Sequence, residues 1–322
     1  MNRTITTALT LTALTLTGCS TTQTTKKITF PIAATPGYDD GFDATALTIH
    51  KGDLSGTATF DEMIDDLADA DVIIVGEMHN HKKALDFIAT TYQSLIERND
   101  KLVLSMEFYE RDLQGALDDY LSGVTDYPKF VKAANRNKGN NPIDHLRMIE
   151  LSKEHNRQVI AANSPRRYTT MARKQGFEAL EKLTDLQKTF FTIPEKLPEG
   201  YYADTFRNLM SGMAGHNDND DIVNSFLRSQ SVWDQTMAAS ISNAVLNHNA
   251  AVYHVVGYFH ADNNLKEGGS PMTDAIRARL GDHIKIRSIV THGPESNSIT
   301  SHDAPNEEKS VSANYILYLP ME

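Results

Sequence analysis

The chain has 322 residues, with 31 Lys and Arg against 42 Asp and Glu, for a formal net charge of −11. So acidic a body disfavours nucleic acid and anionic lipid as partners. A single cysteine, Cys19, rules out an internal disulfide framework or a cysteine-built zinc site, so stability must come from an apolar core.

Residues 1–18 (MNRTITTALTLTALTLTG) carry one early cation, Arg3, then an apolar stretch diluted with threonine. The stretch is too short to span a bilayer and has the anatomy of a secretory signal peptide. Its end, Leu16-Thr17-Gly18-Cys19, resembles a bacterial lipobox. That resemblance implies acylation (palmitate) of Cys19 and, with Ser20 following it, a lipid anchor in the outer membrane. Several acyl chains would hold stably where one would not. Residues 19–40 are rich in Thr, Lys and Pro and read as a tether, with one short strand over 28–31. The domain proper is expected over 41–322.

Within it, continuously apolar runs predict strands over 72–77, 102–107, 158–163, 251–260 and 283–292. Helical periodicity separates them at 82–98, 111–121 and 143–155, and fills a long block from 168 to 248. Strands apolar on both faces, alternating with helices, imply a mostly parallel, doubly wound α/β sheet flanked by helices. The block around 165–248 is too long for one crossover and is expected to form a helical insertion or cap. A last apolar run at 314–320 is expected as an edge strand, after a polar loop at 293–310.

In such sheets, ligands gather beyond the C-terminal ends of the strands. The first run ends DVIIVGEMHNH, with Glu77 and His79; the second ends in Glu107; the fourth ends in His260. The strand ending at Asn163 delivers Ser164-Pro165-Arg166-Arg167. Glu77, His79, Glu107 and His260, with Asp234 facing the same polar rim from a long helix, could do acid–base work on an ester or amide. Glu77, His79 and His260 could bind a divalent metal. Against this, Glu77 and Glu107 could cap helices, His81 reads as solvent-facing, and Trp233 as core. No G-x-S-x-G elbow, H-E-x-x-H helix or P-loop is present.

The segments GEMH (76–79), MEFYERDLQGALDDYLSG (106–123), NSPRRY (163–168), SQSVWDQTMAASI (229–241) and VVGYFH (255–260) resemble, in order, the ChaN-like haem-binding lipoproteins. Those proteins form a wider group with the erythromycin esterases and Tiki-type peptidases. The resemblance implies iron acquisition: b-type, non-covalent haem held at the outer membrane, a homodimer clasping two stacked haems, a haem receptor as partner, and axial ligation by a tyrosine with a histidine near the propionates. On this chain the candidates are Tyr202, preferred because it heads an apolar helical face, and Tyr201, with His216 and Arg166 as further contacts. Tyr202, Phe206, Leu209 and Met213 share helical spacing, a plausible haem wall headed by a phenol; Tyr168 and Tyr258 compete. A hydrolase built on the strand-end cluster stays open as the alternative.

Overall fold

The computed structural model describes residues 42–134, 143–211, 220–261, 270–292 and 313–319, all within one unit spanning 34–322. Cys19, the tether, the loop at 293–310, Met213 and His216 lie outside the described residues.

Eight strands form one sheet: β1 (Ile49–Lys51), β2 (Thr57–Ala58), β3 (Val72–Glu77), β4 (Leu102–Glu110), β5 (Val159–Asn163), β6 (Ala251–Gly257), β7 (Ile286–His292) and β8 (Tyr315–Tyr318). Their order is β2-β1-β8-β7-β3-β6-β4-β5. The six strands from β8 to β5 run parallel, and β1 pairs antiparallel with both β2 and β8. The α/β expectation therefore holds. The last strand, however, is interior: β8 lies between β7 and β1, so the edges are β2 and β5.

Helices cover both faces, which explains strands that are apolar throughout. On one face, Val72, Ile74, Val252 and Val256 pack with Met237 and Ile241 of α10 (Asp220–His248) and with Met272 and Ile276 of α12 (Pro271–Leu280). On the other, Tyr253 donates to the Ile88 carbonyl of α2 (Lys82–Ile96) at 2.8 Å and packs on Tyr92. Each fully buried Val or Ile contributes about 1.5–3 kcal/mol. Also on that side are α1 (Phe60–Ala68), opened by a Thr59–Glu62 capping box, and α5 (Ile143–Glu154).

Between β4 and β5 come α3 (Gln114–Leu121) and α4 (Tyr127–Ala133) before α5. The block after β5 holds α6 (Arg166–Gln175), α7 (Phe177–Glu181), α8 (Asp185–Lys188), α9 (Tyr201–Ser211) and α10. The insertion proper is α6–α9, because α10 is itself a covering helix of the sheet. The strand expected over 251–260 stops at Gly257, and Tyr258–Ala261 turn into a short helix, α11, laid across Gly76. No helix among the described residues is long and apolar enough to cross a membrane.

Candidate functional site

Parallel register aligns the strand ends: Gly76 of β3 lies opposite Val256 of β6, and Glu77 opposite Gly257. The turn after Glu77 is only four residues long, and Asn80 makes it with φ 61°, a left-handed conformation that asparagine tolerates. That reversal turns His79 back over its own strand, where its Nδ1 lies 2.9 Å from Glu77 Oε1. His81, expected in solvent, is instead buried and caps α2, its Nδ1 accepting from the Ala84 amide at 3.3 Å.

Glu77 is buried and held on both oxygens, by His79 and by His145 of α5, whose Nε2 lies 2.7 Å from Oε2. Burial pushes the Glu77 carboxyl up, but the two imidazoles, His145 first, outweigh it and hold its pKa below the usual range. Phe108 stacks on His145 at 4.0 Å and meets His79 edge-on at 5.8 Å. His79 is the open end of this group, with its side chain 53% exposed. The bond to Glu77 raises its pKa, against partial burial. Neither glutamate caps a helix: Glu107 Oε2 accepts the Gly257 amide at 2.6 Å.

A second histidine–carboxylate pair lies alongside. Asp234 on α10 is fully buried, not facing the polar rim. Its Oδ1 sits 2.6 Å from His260 Nδ1, and its Oδ2 accepts from the Tyr202 hydroxyl at 2.7 Å. Burial works against charge on His260, but Asp234, with Glu107 3.9 Å from Nε2, lifts its pKa to about 9. Burial and the same carboxylate push the Tyr202 phenol well above 10. A buried carboxylate bonded on both oxygens avoids the large cost of an unpaired one. Trp233 beside it is partly buried against the main core.

The structure brings Glu77, His79, Glu107 and His260 near one another with Asp234 buried behind His260, and adds His145 and Tyr202 to them. His145 lacked a signal because α5 is buried almost all round at that point, so no polar stripe marks it. Among the described residues no group of three or more His, Cys, Asp or Glu is arranged to hold a metal ion. Arg166 lies apart: its side chain is exposed, and its backbone amide donates to Glu110 at 3.0 Å. Tyr168 is buried against Phe191, and Tyr258 packs edge-on to His292.

Tyr202, Phe206 and Met210 form the buried face of α9 with Phe259 packed on them, whereas Leu209 is 38% exposed and lies off that face. Tyr201, one residue earlier, is half-buried, and it and Tyr202 both line an open groove of about 800 Å³ between the 193–200 segment, α9, α10 and α12. Leu197, Pro198 and Ala275 give the groove apolar wall, and Lys196 and Arg279 supply cations.

A family model described as haem-binding uptake, Tiki superfamily, ChaN matches residues 63–268. The chain belongs to this family. Its fold is that of the ChaN structure from Campylobacter jejuni described as binding haem cofacially: 17% identity, TM-score 0.61, covering 84% of this chain and 96% of that one. Weaker likenesses are to an erythromycin esterase, EreC (13%, TM-score 0.44, 73% of each chain), and to the type III effector HopBA1 (13%, TM-score 0.43, 81% and 93%). A search of curated protein sequences gave no match. The cluster at the ends of β3, β4 and β6 and the groove beside α9 are joined through the hydrogen bond from Tyr202, which lines the groove, to Asp234.

Proposed function

We propose that this protein is an outer-membrane-anchored lipoprotein that binds haem for iron acquisition, with haem seated in the α9 groove. Membership of a haem-binding family supports the ligand, and the groove supports its place. The groove is large enough for a flat macrocycle, its walls are partly apolar, and Arg279 offers a guanidinium that donates to the Ala275 carbonyl and the Gln235 side-chain oxygen, both neutral. Carboxylates of a haem would find Arg279 and Lys196 there, beside the acids Glu195, Glu199 and Asp274. The only cysteine is Cys19, which supports a b-type, non-covalent mode.

Of the two tyrosines, Tyr201 is the better axial ligand. A ferric ion favours phenolate, a hard anionic donor. Tyr201 opens α9, where the helix dipole stabilises negative charge, whereas Tyr202 donates to a buried carboxylate that opposes its ionisation. A homodimer clasping haem is part of the proposal, and exposed Leu209 and Ile222, on α9 and α10, offer apolar surface for it. The hydrolase alternative is not adopted, because both Glu77 oxygens and both Asp234 oxygens are already held within the fold.

Hemin titration of the protein, read by absorbance, tests the assignment. Tyr201→Phe is expected to change the ferric spectrum and weaken binding about tenfold or more, roughly the loss of one charge-assisted contact. Tyr202→Phe should keep the spectrum and lower stability by about 1–3 kcal/mol, because it strands Asp234. The reverse pattern would make Tyr202 the ligand; no specific wild-type spectrum would end the haem reading. For anchoring, Cys19→Ser is expected to move the protein out of the membrane fraction, and an unchanged fraction and mature mass would rule the anchor out.

A further inference from the structure

A cleft of about 350 Å³ opens along the edge strand β5, walled by β5, α10 and the segment after α8. Arg111, in the turn that follows β4, is its charged feature. Its Nε donates to Ser240 Oγ at 2.9 Å, Nη1 to the Thr189 carbonyl at 3.2 Å, and Nη2 to the Thr236 carbonyl at 2.8 Å. All three acceptors are neutral. A guanidinium has five N–H groups, so one on each Nη is unspent.

The lining contains no Asp or Glu, in a chain of net charge −11. Instead, Asn243 and His248, both exposed on α10, stand at the rim, and Phe190, Ile160 and Ala244 give apolar wall. Burial first, and the Arg279 charge second, lower the Arg111 pKa to about 10, so the cation is both desolvated and repelled. An anion would relieve both effects.

We propose that this cleft is a second binding site, separate from the haem groove, for a small organic carboxylate taken by the Arg111 fork. Carboxylate matches the planar pair of Nη donors, and the apolar wall favours an organic body over inorganic phosphate. A peptide strand is excluded as occupant, because Gln114 already closes the β5 edge. Its amide nitrogen donates to the Val159 carbonyl at 2.9 Å and to Asp118 at 2.8 Å, and its oxygen accepts the Ala161 amide at 2.7 Å.

The test is a titration of the ¹⁵N-labelled full chain with benzoate, following the Arg111 Nε–H resonance, with phosphate at matched ionic strength as the competing probe. A saturable benzoate shift is expected, with little response to phosphate. Asn243→Asp, which places a carboxylate at the exposed rim, should weaken benzoate about tenfold with an unchanged melting temperature. Arg111→Lys, which loses the fork, should weaken it at least as much; if that variant does not fold, Asn243→Asp alone decides. A non-saturating shift, an equal response to phosphate, or wild-type affinity in Asn243→Asp would each overturn the site. None of these outcomes depends on haem.

Discussion

Asp234→Asn is expected to remove most of the pH dependence of stability between about pH 6 and pH 10. In the folded chain the His260 pKa is about 9, against 6.5 for the free side chain. A pKa raised on folding stabilises through the protonated form. The contribution is therefore complete below 6.5 and is lost as pH rises through 9. The shift corresponds to about 3 kcal/mol. The charged and titratable groups around His260 are Asp234 and Glu107, which favour its cation, and His79 and His254, which neighbour it, with Tyr202 sharing Asp234. Asparagine keeps the shape of the aspartate and an acceptor for the Tyr202 hydroxyl, but loses the charge that His260 needs. Urea unfolding at several pH values should show wild type losing about 3 kcal/mol across this window. The variant should show a shallower slope, the remainder carried by His79 with its raised pKa, and be less stable by about 3–5 kcal/mol at the acidic end because a buried pair is broken. Parallel curves for the two proteins would mean that another group sets the pH dependence.

This network also shows what was and was not legible in the sequence. The strands β3 and β5 could be read because four consecutive apolar residues, Val72–Val75 and Val159–Ala162, leave an unmistakable run, and β4 and β7 from shorter runs interrupted by Ser105 and by Arg287 and Ser288. β1 and β2, at three and two residues, leave none, so β8 passed for an edge. The capping box of α1 (Thr59 with Glu62) and the Ser270–Pro271 start of α12 were local signals and could have been found. Glu77, His79, Glu107 and His260 could be found because strand ends converge by topology. The pairing of His260 with Asp234, 26 residues apart, and of Glu77 with His145, 68 residues apart, depends on how helices pack, which no short spacing encodes. The same limit applies to Tyr201 and Tyr202. Helical spacing separates the two faces, but only packing shows that the Tyr202 hydroxyl is turned inward to Asp234 while both tyrosines border the groove.

Two glycines hold the rim together, and alanine at the two is expected to cost different amounts. A Cβ on Gly76 would lie 2.7 Å from Ala261 Cβ, 2.9 Å from Tyr258 Cα and 3.3 Å from Val290 Cγ2. Two of these atoms belong to α11 and one of them is backbone, so the short helix must lift off the sheet. Its passenger is His260, which would be drawn away from Asp234 and Glu107. Overpacking of this kind costs about 1–3 kcal/mol, and the weakened His260–Asp234 pair adds to it. A Cβ on Gly257 would also come close to a neighbour, at 2.8 Å, but that neighbour is His79 Nε2, the tip of a half-exposed side chain that can swing outward. That variant should lose about 1 kcal/mol, less than Gly76→Ala, because the His79 ring must tilt against its bond to Glu77 while Glu77 keeps His145, with Glu107 still accepting the Gly257 amide. Urea midpoints rank the two, and the His260 Nδ1–H resonance follows the Asp234 bond: shifted or broadened in Gly76→Ala, retained in Gly257→Ala. Equal losses in the two variants, or a His260 resonance untouched by Gly76→Ala, would show that α11 is not seated through this contact.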